Sequence, residues 1–151
     1  LRISDILSLK WNDLLGRGSM QITEKKTKKD RTITINPQLQ EIVSRIYLKQ
    51  KVTDPDDLIF LNRWGTGAIT RQYVNGKLKR IATKYQITKD VSSIKSHSLR
   101  KSFGRRVFES NDSSELSLLL LSDILNHSSP KTTKIYLGIR DREIQDVYVN
   151  L

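Results

Sequence analysis

The stretch LLSDILNHSSPKTTKIYLG, residues 120–138, closes one helix and opens another. Its first half continues the apolar run that starts with SSELSLLLL, and Asn126 is a residue able to end that helix in a left-handed conformation. Ser129 then reads as an N-cap and Pro130 as a first helical position, so a short second helix carries Tyr136 and stops at Gly138. His127, one of only two histidines in 151 residues, therefore sits in the joint between two helices, nine residues before a tyrosine.

Working upstream, SHSLRKSFGRRVFE (96–109) reads as a helix with Leu99, Phe103 and Val107 inward. His97 and Arg100 are then three apart, roughly 60° around the helix from each other, and off the Leu99–Phe103 face. A helix beginning at Thr70 is expected to bury Tyr73, Val74, Leu78 and Ile81, with Arg71, Lys77, Lys79 and Arg80 off that stripe. Asn36 and Pro37 open a helix whose stripe is Leu39, Ile42, Val43 and Ile46. Between them, Leu58–Phe60 is expected as a short third strand.

The alternation in SMQITE and RTITIN, around KKTKKD, predicts a β-hairpin with Met20, Ile22, Ile33 and Ile35 on its buried face and a basic tip. Residues 1–9 have helical spacing at Ile3, Ile6 and Leu7, with Ser4 as a candidate cap and Asp5 in the first turn, which places Arg2 at a helix mouth. Downstream, DREIQDVYVNL (141–151) presents Ile144, Val147, Tyr148 and Leu151 on one face of an amphipathic tail, too short to be stable unless docked.

Composition narrows the chemistry. The absence of cysteine excludes disulfides, thiolate metal sites and cysteine nucleophiles, and with two histidines no zinc site is expected. No cofactor or metal is implied. No apolar run approaches the ~18 residues of a membrane span, so the chain is expected to be soluble and cytoplasmic. With 27 Lys and Arg against 16 Asp and Glu, a net charge of +11 makes a polyanion the natural partner, because each neutralised phosphate releases counterions.

Taken together and in order, LRISDILSLKWNDL (1–14), KKTKKDRTITI (25–35), HSLRKSF (97–103) and LLSDILNHSSPKTTKIY (120–136) resemble the arginine box, lysine hairpin, His-x-x-Arg box and histidine-to-tyrosine box of the tyrosine recombinase (phage integrase) family. Each box alone recurs by chance; four in register cover nearly the whole chain. The resemblance implies an α+β, mostly α-helical catalytic domain with a small antiparallel β-sheet, spanning residues 1–151, as the C-terminal part of a longer recombinase whose upstream core-binding domain is absent. It departs from the family's pattern in having Asn126 where Gly usually precedes the second histidine, a change both residue types tolerate in a left-handed cap.

Carried over residue by residue, the resemblance implies Arg2, Lys26, His97, Arg100 and His127 around a nucleophile, Tyr136. Asp5 matches an acidic position that holds the basic residues. Lys25, Lys28 and Lys29 are neighbouring alternatives to Lys26. Lys28, Lys29, Arg31, Arg71, Lys77, Lys95, Lys101, Arg105, Lys131 and Lys134 are candidates for the DNA backbone. The implied activity is metal-independent cleavage and rejoining of double-stranded DNA through a 3′-phosphotyrosyl bond, in a bacterial, nucleoid-associated setting. The tail would link protomers in a homotetramer on DNA or, in a free monomer, dock on its own domain. A type IB topoisomerase and a non-catalytic DNA-binding domain are the alternative readings.

Overall fold

The computed structural model describes residues 1–87, 94–139 and 148–150. The chain divides into two compact units, Leu1–Ser92 and Ser93–Leu151. The first contains α1 (Ile3–Ile6), α2 (Trp11–Leu14), β1 (Ser19–Thr23), β2 (Asp30–Thr34), α3 (Pro37–Gln50) and α4 (Arg71–Lys84); the second contains α5 (Ser96–Glu109), α6 (Glu115–Leu125) and α7 (Pro130–Leu137). Among the described residues no helix is long and apolar enough to cross a membrane. The amphipathic tail falls almost wholly outside the described residues.

In the first unit, β1 and β2 form an antiparallel hairpin in which Met20 faces Ile33 and Ile22 faces Arg31. Its core gathers Leu9, Trp11, Leu14, Met20, Ile35 and Val43, with Ile22, Ile33 and Tyr47 packed against it. Trp11 is almost wholly buried and meets Tyr47 edge to face, centroids 5.4 Å apart. A buried aromatic of this size contributes about 1.5–3 kcal/mol from area alone.

Several helical faces are rotated from their expected positions. In α3, Val43 is buried but Leu39, Ile42 and Ile46 are each about 40% exposed. The inward face runs through Val43 and Tyr47 to Gln40, whose Nε2 donates to the carbonyls of Ile35 and Arg17, both at 3.1 Å. A polar side chain thus takes a core-facing position by satisfying two backbone acceptors. In α4, Ala82 is the buried residue, while Tyr73 and Ile81 lie about half exposed. The inward face runs i, i+4, i+8, through Val74, Leu78 and Ala82, with the small residue the most deeply buried.

The segment around Leu58 does not extend the sheet, which has two strands. It makes an isolated antiparallel bridge with Lys10, with Ile59 N–H donating to Leu9 and Trp11 N–H to Asp57. Helix α1 is also shorter than expected. Arg2 stands at its N-cap position, and Asp5 rather than Ser4 serves the helix mouth by accepting from the Arg2 N–H at 3.1 Å.

Among the described residues of the second unit, α5, α6 and α7 gather around Phe108, Leu118, Leu121, Leu125 and Leu137. Leu99 and Phe103, expected inward, are 58% and 51% exposed; Gly104 and Phe108 are buried instead. The cause is Gly104. A β-carbon there would lie 2.9 Å from Leu137 Cδ2 and 3.4 Å from Leu125 Cδ1, so the bare backbone is the notch into which α6 and α7 fit.

Candidate active site

That rotation determines where α5 points its chemistry. His97, Arg100, Gly104 and Phe108 fall within an arc of roughly 80° at about 100° per residue. The side of α5 that receives α6 and α7 is therefore the side carrying the His-x-x-Arg pair. The Arg100 guanidinium reaches α6 and donates from Nη2 to the Leu125 carbonyl at that helix's C-terminus. Cations favour that end of a helix, because its last carbonyls have no intrahelical partners.

Asn126 follows with φ 50° and ψ 53°, and its left-handed turn brings the His127 N–H back to the Ser122 carbonyl at 2.9 Å. Ser129 caps α7 by accepting from the Thr132 N–H at 3.3 Å. Thr133, fully buried, places its Oγ1 3.0 Å from His127 Nδ1 and so fixes the imidazole's orientation. The C-terminus of α7 is fastened too. Gly138, φ 69°, is its left-handed cap, and Arg105 Nη2 donates to the Leu137 carbonyl at 2.6 Å.

Tyr136 lies between the two histidines. Its ring meets His97 at 5.0 Å and 83° and His127 at 5.0 Å and 75°, both edge to face. Four of the six residues picked out by the sequence, His97, Arg100, His127 and Tyr136, are thus gathered in the second unit around the junction of α5, α6 and α7.

The other two, Arg2 and Lys26, belong to the first unit. Here two fully buried carboxylates organise the surroundings. Asp5 accepts from the Arg2 N–H and, through Oδ1, from the Lys25 N–H at 3.0 Å, which ties the mouth of α1 to the hairpin tip. Glu24 accepts from the Arg2 guanidinium, from Arg31 Nη1 at 3.1 Å and from Thr27 Oγ1 at 2.8 Å. The tip is closed by Glu24 N–H to the Lys29 carbonyl and Lys28 N–H to the Glu24 carbonyl, with Lys28 left-handed at φ 57°. Lys26 is exposed on this tip.

Among the candidates for the DNA backbone, Lys28, Lys29, Arg71, Lys77, Lys95 and Lys131 are exposed, and Lys77 also lies over the Tyr73 ring. Arg31, Lys101, Arg105 and Lys134 are partly buried; Arg31 is engaged by Glu24, and Arg105 by α7. The sequence reading missed Glu24, Thr133 and the Gly104 notch. Glu24 carried a legible signal: it continues the inward alternation of Met20 and Ile22, and Arg31 continues that of Ile33 and Ile35. Among the described residues no cluster of three or more His, Cys, Asp or Glu is positioned to hold a metal ion.

Comparison with known proteins agrees with this architecture. The phage integrase family matches residues 1–143. The probable integrase/recombinase YoeC of Bacillus subtilis (strain 168) is 33% identical over 149 residues, covering 98% of this chain and 76% of that protein. Tyrosine recombinase XerD of Lacticaseibacillus casei is 32% identical over 155 residues, covering 98% of this chain and 49% of that protein, so the chain spans about half that relative's length.

Among solved structures, the XerH site-specific recombinase bound to difH substrate in a pre-cleavage complex superposes with a TM-score of 0.69 at 26% identity, covering 97% of this chain and 41% of that one. The XerA recombinase gives 0.70 at 21% identity, covering 99% and 51%, and speaks for the fold alone. The fold is that of the tyrosine recombinase catalytic domain, mostly helical with a small antiparallel sheet, and the chain belongs to the phage integrase family.

Proposed function

We propose that this chain is the catalytic part of a site-specific DNA recombinase that cuts and rejoins strands through Tyr136. The observation that carries this reading is the tyrosine ring held edge-on between His97 and His127, on the side of α5 that also presents Arg100. Family membership and the recombinases among its relatives support it.

The Tyr136 phenol oxygen attacks the scissile phosphorus, its proton leaving toward His97, while the bond from phosphorus to the 5′-oxygen breaks. Arg2 and Arg100 bind the nonbridging oxygens and balance charge on the pentavalent centre, where a planar guanidinium offers paired donors. His127 donates a further hydrogen bond to the phosphate. Lys26 gives the departing 5′-oxygen its proton. The product is a 3′-phosphotyrosyl bond and a 5′-hydroxyl, so the phosphodiester energy is conserved and the hydroxyl of another strand can reverse the step. The chemistry needs no ATP.

The exposed basic residues hold the duplex backbone. Assembly is a homotetramer on DNA, linked by residues 141–151, in the bacterial cytoplasm. Incubating the chain with labelled, nicked duplexes, denaturing, and searching by mass spectrometry for a nucleotide on Tyr136 tests the mechanism. The expected result is an adduct that Tyr136→Phe abolishes; an undiminished adduct in that variant would assign the nucleophile elsewhere.

A further inference from the structure

Resting on the proposed function, we propose that Glu24 is the positioning residue for Arg2: a carboxylate that sets the guanidinium's orientation before any phosphate arrives. Glu24 has no exposed surface, and a carboxylate buried so completely is tolerated only when paired and fully hydrogen-bonded. Its partners are two guanidiniums, those of Arg2 and Arg31, and the Thr27 hydroxyl. Arg2 is thereby fixed at both ends, its backbone N–H by Asp5 and its guanidinium by Glu24. A flexible arginine would lose rotamer freedom on meeting a phosphate; one already held has little left to lose.

The geometry also separates Glu24's two effects. Its backbone closes the hairpin tip through the bonds to Lys29 and Lys28, neither of which uses the carboxylate. Its side chain reaches Arg2 and also holds Arg31 on β2 and Thr27 on the tip. Glu24 takes the Nη1 side of a group that has five N–H donors, leaving others for phosphate oxygens. Removing the carboxylate therefore releases the Arg2 guanidinium outright, while the tip that carries Lys26 loses one hydroxyl contact and keeps its backbone closure.

Substrate chemistry distinguishes these two effects. A methylphosphonate at the scissile position removes the charge on a nonbridging oxygen, so an arginine that neutralises it matters less. A bridging 5′-phosphorothiolate gives a leaving group that needs no proton, so a general-acid lysine matters less. Adduct formation is measured for the chain and for Glu24→Ala, Glu24→Gln, Arg2→Ala and Lys26→Ala on ordinary and on both modified duplexes.

Glu24→Ala is expected to form adduct about a hundredfold more slowly on ordinary DNA. Glu24→Gln, which keeps the shape and loses the charge, falls between the two. Most of the Glu24 defect disappears on the methylphosphonate, as for Arg2→Ala, and persists on the phosphorothiolate, which rescues Lys26→Ala. If Glu24→Ala is poorly folded, Glu24→Gln alone carries the comparison. Rescue by the phosphorothiolate, an unselective defect, or unchanged rates in both Glu24 variants would overturn the assignment while the recombinase reading stands. An unmodified chain that forms no adduct on any duplex overturns that reading, and this one with it.

Discussion

The two units hold their chemistry by different means. In the first, Arg2 and the lysine hairpin are tied together by buried carboxylates, Asp5 and Glu24, through hydrogen bonds and ion pairs. In the second, the elements that carry Tyr136 and His127 are seated by apolar packing, Leu137 and Leu125 against Gly104 and aromatic rings meeting at their edges, and neutral acceptors rather than carboxylates take the hydrogen bonds of Arg100 and Arg105. Charge-holding fixes direction at the cost of desolvation, whereas packing fixes distance and tolerates little change in volume. A residue that must aim a fork of donors suits the first; a nucleophile that must sit at one depth suits the second.

Substitutions in the second unit sharpen this contrast. Leu137→Ala, at a site with no exposure, should destabilise the unit by about 2–5 kcal/mol, and urea unfolding followed by circular dichroism will read the lowered midpoint. A loss under 1 kcal/mol would mean that packing does not hold α7. Gly104→Ala sets two terms against each other. Alanine favours a helix by ~1 kcal/mol, while overpacking against Leu137 costs about 1–3 kcal/mol, so a net loss is expected. Thermal melts decide the sign, and a higher melting temperature would show that the notch has slack.

The smallest effect is expected at the joint before His127. Asn126→Gly keeps the left-handed cap and should change stability by only a few tenths of a kcal/mol, whereas Asn126→Ala should cost about 1 kcal/mol. Equal melting temperatures for the two variants would count against backbone conformation as the reason for asparagine there.

The same contrast explains what could be read without coordinates. Caps at Asn36, Thr70 and Ser129 and the left-handed ends at Asn126 and Gly138 depend on neighbours in sequence, and each lies where local chemistry puts it. The hairpin's inward face followed from alternation, since Met20, Ile22, Ile33 and Ile35 all lie in or against the core. Helical faces were harder, because an apolar count gives glycine and alanine no weight, although Gly104 and Ala82 mark the faces that become buried. Glu24 was overlooked for the converse reason: a charged residue beside a basic run reads as surface, and only its phase in the strand, two residues beyond Ile22, marks it as inward.

The notch at Gly104 also constrains how this chain can change over generations. Positions 104 and 137 share one volume, so substitutions there are not independent: a side chain gained at 104 must be matched by one reduced at 137, or the helix bearing the tyrosine is pushed off its seat. A library randomised at both positions and selected for folding should return pairs of nearly constant summed size. The volume gained at one position and lost at the other is then inherited jointly, as one trait written at two places 33 residues apart in the sequence.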